Sequence, residues 1–217
     1  MAGKKGKKGF GGCLLRLGKA VLALALLAAI LIASNKLGEQ WRRWRFAGQG
    51  MPIRAVYQYN YSEAVCAIAG ESKSVATSGC GAVCMSMVID YLVGDWGHTP
   101  QTLFEEAWSN GDYTGNGLSQ EALSRLGKAH GVGGVWIGPD AKRIRQALEL
   151  GYPVIAHMGP GTFTREGHYI LLRGLSDDGR VLLNDPNSEN RTGKAWDLEQ
   201  ILREGKGTNP FMVCRRE

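Results

Sequence analysis

The first pattern in the sequence is a long apolar run near its amino end. Leu14 to Ala33 spans 20 residues, and the last 14 of them, from Ala20 on, include no polar side chain. About 20 apolar residues in a helix cross the roughly 30 Å hydrocarbon core of a bilayer. We therefore predict a transmembrane helix over residues 14–35.

The charges around this run predict how the helix is oriented. Residues 1–19 carry six basic side chains and no acidic one, and positively charged flanks stay on the cytoplasmic side of a membrane. We therefore predict a cytoplasmic basic tail over residues 1–13. Residues 36–55 place Trp41 and Trp44 among arginines, as is typical of a membrane interface, and are predicted to form a juxtamembrane stalk.

A cleaved signal peptide is the alternative interpretation of the apolar run. Leu31 and Ala33 match the small residues of a cleavage site poorly, which favours a retained signal anchor. In both cases the remaining domain, residues 56–217, lies outside the cytoplasm. We predict a single-pass protein of the cell membrane with an extracytoplasmic domain.

Helical spacing dominates the first half of that domain, and strand patterns dominate the second half. Apolar residues recur every three or four positions from Cys80 to Leu92, and helical segments follow near residues 100–110, 119–130 and 140–150. Short runs rich in β-branched residues come next, at YPVIAHM, HYILLRGL, RVLLND and PFMVCR. Helices followed by strands predict an α+β domain, with helices packed on a mostly antiparallel sheet.

Charge and cysteine content narrow the classes of function. The formal net charge is +6, but the basic residues concentrate around the apolar run and leave the outer domain mildly acidic. A nucleic-acid-binding domain needs a basic surface, so no nucleic-acid partner is expected. No pair of Cys or His residues with zinc spacing is matched by a second pair, so no metal or other cofactor is expected. Besides Cys80, the predicted outer domain contains three cysteines, Cys66, Cys84 and Cys214. Because three is an odd number, they cannot all form disulfides with one another.

Cys80 is the candidate nucleophile. It lies in TSGCGAVCMSMVIDYL, in the first turn of the predicted helix, where the helix dipole favours a thiolate. Gly79 and Gly81 on either side leave room for a substrate backbone. Cys84 is one turn further along and is surrounded by apolar residues, so we interpret it as a core thiol.

A nucleophilic cysteine needs a base, and His168 is the best placed of four histidines. It opens a predicted hairpin, HYILLRGLSDDGRVLLNDP, whereas we interpret the other three, His98, His130 and His157, as loop, helix-end and strand residues. A two-residue turn at Asp177–Asp178 places Ile170 opposite Asp185, so that His168 and Asp185 share a face at diagonal positions. A turn one residue later keeps the shared face, whereas a three-residue turn puts the two side chains on opposite faces. Asp185 is also suited simply to capping the turn before Pro186.

Four segments of the chain follow one another as SGCGAVCMSMVIDYL, GYPVIAHM, GTFTREGHYILLRG and VLLNDPNSE. In this order they resemble the C39-like cysteine peptidases, a papain-like group. The resemblance implies a papain-like fold, with the nucleophile-bearing helix packed on the sheet. It also implies that Cys80 is the nucleophile, His168 the general base and acid, and Asp185 the residue that orients the imidazole, while Gln58 donates to the oxyanion. Ala82-Val83 followed by Cys84 departs from many relatives and resembles the peptidase domains of bacteriocin exporters.

The resemblance implies a thiol peptidase that hydrolyses peptide amide bonds through a thioester, with a peptide or protein substrate and a membrane contact through the N-terminal helix. Two alternatives remain open on the sequence. One is a catalytically silent papain-like module that binds peptide or cell-wall material. The other is an amidase or acyltransferase that uses the same three residues, because the triad sets the nucleophile and the cleft sets the substrate.

Overall fold

The computed structural model describes residues 10–217, so most of the predicted basic tail lies outside the described residues. Helix α1 runs over Phe10–Phe46. Within it, Val21–Phe46 includes an 18-residue window with a mean hydropathy of 2.0 and no buried side chain. By length and composition this is one helix able to cross a membrane, a test that a signal sequence near the N-terminus also passes.

The chain divides into two compact units with the boundary between Arg42 and Arg43. In the second unit Phe46, Met51 and Ile53 are buried with the rest of the hydrophobic core. These residues fall within the predicted stalk, so the packed domain starts about ten residues earlier than residue 56. Met51 is tied to it further by its backbone N–H, which donates to Arg173 O at 2.7 Å.

The second unit is α+β, as predicted. Its helices are α2 (Val75–Ser78), α3 (Cys80–Leu92), α4 (Pro100–Ser109), α5 (Gln120–Ala129), α6 (Ala141–Glu149), α7 (Glu189–Thr192) and α8 (Leu198–Arg203). Its strands are β1 (Ala64–Ile68), β2 (Glu71–Ser74), β3 (Val132–Ile137), β4 (Val154–Met158), β5 (His168–Leu175), β6 (Val181–Asn184), β7 (Ala195–Trp196) and β8 (Phe211–Arg216). A short 3-10 turn covers Gln58–Asn60.

Six strands form one antiparallel sheet in the order β3-β8-β4-β5-β6-β7, and β1 and β2 form a separate hairpin. Helix α3 is buried from Gly81 to Ile89 and packs against β5 near the middle of the sheet. Buried side chains therefore cover most of the circumference of α3.

Strand β3 was not predicted, because Gly133 and Gly134 lower the strand propensity of its centre. Gly134 has a packing reason to be glycine. A Cβ at this position would lie 2.2 Å from Met212 Cε on the neighbouring strand β8. The glycine therefore leaves room for a large core side chain on the adjacent strand.

The hairpin that joins β5 and β6 differs from the predicted one at its turn. Ser176 N–H donates to Arg180 O at 2.8 Å, so three residues rather than two form the loop. That loop alone would put His168 and Asp185 on opposite faces. A β-bulge between Leu172 and Gly174 shifts the register by one residue, so that Leu171 pairs with Asn184. The pairing next to the site is therefore the predicted one, reached by a different route.

Gly174 makes this bulge possible. Its φ is +155°, and a Cβ there would lie 2.2 Å from Gly50 Cα. We predict that Gly174→Ala lowers the free energy of unfolding by about 3 kcal/mol, because backbone strain and overpacking add. Urea denaturation of the full-length protein in detergent measures this change.

The matched control is Gly193→Ala at the end of α7, where φ is −77° and the nearest atom to a new Cβ is 3.5 Å away. That variant is expected to unfold at nearly the same urea concentration as the parent. Equal losses in the two variants would contradict the role given to the bulge.

Candidate active site

Cys80 is the first residue of α3, and its side chain is partly exposed at the start of that helix. Gly79 precedes the helix, and no side chain caps its first turn. The backbone N–H groups of a helix start are unpaired within the helix and carry partial positive charge. The thiol therefore lies where an anion is favoured, at the end of an otherwise buried helix.

His168 and Asp185 are brought together by the hairpin. His168 Nε2 lies 2.7 Å from Asp185 Oδ1, and the two side chains are 7% and 0% exposed. Because the carboxylate only accepts, Nε2 carries the proton in this contact. Nδ1 is then the ring nitrogen that remains for Cys80, whose thiol lies close enough to His168 for the two groups to shift each other's pKa.

The pKa of Cys80 is lowered and the pKa of His168 is raised, so each residue favours the charged form of the other. Burial raises the pKa of Cys80, but the hydrogen bond and charge of His168 outweigh burial, so the pKa lies below its ordinary value. Burial lowers the pKa of His168, but the hydrogen bonds to Asp185 and Cys80 outweigh it and raise the pKa to about 9. The arrangement favours a thiolate beside an imidazolium at neutral pH.

Asp185 is held by more than the histidine. Its Oδ1 also accepts from Asn187 N at 2.8 Å, and its Oδ2 accepts from Arg191 Nη1 at 2.9 Å. Its backbone N–H donates to Thr192 Oγ1 at 2.9 Å. Burial raises the pKa of Asp185, but the bonds to His168, Asn187 and Arg191 keep it below the ordinary value. The contact with Asn187 is that of a residue that caps the turn before Pro186, and the role of Asp185 in orienting the imidazole stays a prediction.

Arg191 was missed by sequence reasoning. It lies six residues after Asp185 in a four-residue helix, and no hydrophobic period or motif marks such a short element. The one available signal was the run of polar residues after NDP, which resembles an ordinary loop.

Gln58 lies between the two sides of the site. Its backbone N–H donates to Pro186 O at 2.8 Å, directly after Asp185, and its Nε2 donates to Ala76 O at 2.9 Å in the helix before Cys80. The side chain is 7% exposed, yet its Oε1 has no hydrogen-bond partner among the described residues. One Nε2 hydrogen remains beyond the bond to Ala76.

The remaining thiols differ from Cys80. Cys66, Cys84 and Cys214 are free, like Cys80, so the described part of the chain contains no disulfide. Burial raises the pKa of Cys84 well above its ordinary value and raises that of Cys214 to about 12. Burial also raises the pKa of Cys66. Cys80 is therefore the thiol whose surroundings favour ionisation.

The other three histidines have aromatic or carboxylate partners of their own. His157 stacks on Tyr169 with ring centroids 4.4 Å apart, and burial lowers its pKa to about 4. His98 and His130 contact each other, with Asp95 and Glu106 as their carboxylate partners. Over residues 10–217, no group of three or more His, Cys, Asp or Glu side chains is arranged to hold a metal ion.

Comparison with known proteins assigns the chain to a family. The model of the Peptidase_C39 like family matches residues 53–206, so the chain belongs to that family of cysteine peptidases. The match begins within the predicted stalk, in agreement with the early start of the packed domain. No curated protein matches the chain.

Two solved structures share the fold. One is the peptidase domain of Streptococcus ComA, a bifunctional ABC transporter involved in quorum sensing; it has a TM-score of 0.50 and 20% identity, over 65% of this chain and 93% of that one. The other is a double glycine motif protease from an AMS/PCAT transporter in complex with its leader peptide; it has a TM-score of 0.50 and 17% identity, over 77% of this chain and 94% of that one. The papain-like fold predicted from the resemblance is thereby confirmed.

Proposed function

We propose that this protein is a membrane-anchored thiol peptidase that hydrolyses peptide amide bonds with Cys80 as nucleophile. The observation that carries the proposal is the buried 2.7 Å hydrogen bond of His168 to Asp185 beside the Cys80 thiol, whose pKa His168 lowers. A thiol, an imidazole and a carboxylate in this order meet the geometric requirement for nucleophilic catalysis. The family and the peptide-bound PCAT neighbour support a peptide as the substrate.

In the acylation step, the Cys80 thiolate attacks the carbonyl carbon of the scissile amide and forms a C–S bond. The tetrahedral oxyanion accepts the Cys80 backbone N–H and the remaining Nε2 hydrogen of Gln58. The C–N bond then breaks, and the leaving nitrogen takes the proton from His168 Nδ1. The products of this step are a thioester on Cys80 and a free amine.

In the deacylation step, neutral His168 accepts a proton from a water molecule, whose oxygen attacks the thioester carbon. The C–S bond breaks, a carboxylic acid leaves, and the thiolate and imidazolium are restored. Asp185 holds Nε2–H throughout, which keeps Nδ1 free for proton transfer in both steps.

The N-terminal helix supports a membrane location for this activity. Its apolar length suits a membrane span, and six basic residues precede its uninterrupted apolar part. By the positive-inside rule the peptidase domain then faces the outer side of the membrane. Its substrate on that side is a peptide or protein chain.

The test is to incubate the full-length protein in detergent with a peptide library and, separately, with purified cell wall. New peptide amino termini support the proposal. New amines from the wall alone indicate an amidase, and transfer of an acyl group to an added amine without hydrolysis indicates an acyltransferase. Binding without any new amine indicates a silent module. The Cys80→Ala variant is the control for contaminating peptidases.

A further inference from the structure

We propose that Arg191 is a positioning residue whose fixed positive charge keeps Asp185 ionised through both charge states of His168. This inference rests on the proposed function, because it concerns the same triad. Arg191 Nη1 lies 2.9 Å from Asp185 Oδ2, on the carboxylate oxygen that His168 does not occupy. The carboxylate is 0% exposed, while the Arg191 side chain is 29% exposed.

The physical reason is that a buried carboxylate is costly unless a cation balances it. During the proposed cycle His168 is an imidazolium before acylation and neutral before deacylation. It therefore balances Asp185 for only part of the time. The guanidinium of arginine remains charged at every working pH. Arg191 thus stabilises the state in which His168 is neutral and ready to accept a proton.

The position of Arg191 is fixed by its own neighbours. Its backbone N–H donates to the N-cap Ser188 Oγ at 3.2 Å, and its carbonyl accepts Trp196 Nε1 at 2.9 Å. Trp196 packs on Phe163 with ring centroids 4.8 Å apart, and Phe163 lies in the loop that leads to His168. Trp196 therefore links the loop before His168 to the helix after Asp185, through its ring contact with Phe163 and its hydrogen bond to Arg191.

The other ionisable groups around the pair leave this task to Arg191. From α3, Cys84 faces Asp185 as a buried thiol whose raised pKa keeps it neutral, while Cys80 carries negative charge as the thiolate. From β4, His157 pairs with Tyr169, the residue after His168, and is neutral above about pH 4. The charge of Lys206 lowers the pKa of His157, and its Nζ donates to Glu166 O at the surface. Among these described groups, Arg191 is the permanent cation bonded to Asp185.

Arg191→Gln tests the charge while it keeps a hydrogen-bond donor. Without the cation, the neutral form of His168 leaves a buried unbalanced carboxylate, so His168 holds its proton more tightly. We expect kcat to fall about 10-fold with little change in KM, since a rise of about one unit in the pKa of His168 lowers the fraction of neutral imidazole about tenfold. We also expect the NMR titration midpoint of the His168 imidazole to rise, when Arg191→Gln is compared with the parent in the Cys80→Ala background.

Two variants make the test specific. Arg191→Lys restores the charge and is expected to return the His168 midpoint close to that of the parent. Arg180→Met removes the exposed pair of Arg180 with Asp178, both 56% exposed, and is expected to change neither the midpoint nor kcat.

An unchanged His168 midpoint in Arg191→Gln would overturn the inference, whatever happens to thermal stability. So would a raised midpoint that Arg191→Lys fails to lower. The titration needs no substrate, so its outcome is independent of whether the protein cleaves peptides. Loss of peptide cleavage in every assay, with a midpoint that still depends on Arg191, would remove the proposed function and leave this inference standing.

Discussion

Replacing Cys80 with alanine is expected to lower the rate of peptide cleavage by about 10⁵-fold or more, because the thioester pathway loses its nucleophile. The side chain is partly exposed at the start of α3, so its removal leaves little cavity and the fold should persist. Near-UV circular dichroism checks the fold, and the release of new amino termini measures the rate.

Cys84→Ala is the matched control for this variant. It removes the other thiol of the same helix, one turn further on, where the side chain is fully buried. We expect a loss of stability and retention of most of the activity. If Cys84→Ala abolishes cleavage while Cys80→Ala does not, the two thiols have been assigned the wrong roles.

His168→Ala is expected to lower kcat by about 10⁴-fold or more, because one side chain both stabilises the thiolate and transfers the protons. The loss should affect kcat more than KM, since the imidazole acts on reacting atoms rather than on the rest of the substrate. Stopped assays at saturating substrate, run on folded protein, measure it.

His98→Ala provides the comparison for this second variant. That histidine lies in the loop between α3 and α4, with Asp95 as its partner. It is expected to leave kcat unchanged. A similar loss of kcat in both variants would show that the effect of His168→Ala is one of general destabilisation.

The parts of the fold that follow from local pattern were predictable. Helix α3 has nine consecutive buried residues after Cys80 and glycines at its start, so the sequence predicted a helix from Cys80 to Leu92. Strands β4, β5, β6 and β8 were also found, because each is short, apolar and bounded by turn residues. The shared face of His168 and Asp185 was predicted from the two-residue period of strands and a two-residue turn, whereas the structure reaches it through a three-residue turn and a bulge.

The parts that depend on distant contacts were not predictable. The three-residue turn and the bulge at Gly174 compensate each other, and the backbone of Gly50 lies against the bulge. Nothing in the local sequence of the hairpin shows that contact. The early start of the packed domain follows from the same contact, since residues 46–53 look like linker until their partners are known.

The site shows the same division. The roles expected for Cys80, His168 and Asp185 came from types of residue and their order along the chain. The structure brings the three side chains together, with His168 hydrogen-bonded to Asp185 and beside Cys80. The contact of Arg191 with Asp185 could be found only from the tertiary structure, because the chain after Pro186 folds back and places α7 beside Asp185. The orphaned Oε1 of Gln58 is likewise visible only once the backbone of α2 is placed.

Whether His168 activates Cys80 is tested most directly by the rate of Cys80 alkylation with iodoacetamide as a function of pH, read by mass spectrometry on the folded full-length protein. Because His168 lowers the pKa of Cys80, modification should occur first at Cys80 and proceed well below the pH at which an ordinary thiol reacts, and His168→Ala should move the profile to higher pH. A Cys80 profile like that of an unperturbed thiol, unchanged by His168→Ala, would contradict the account.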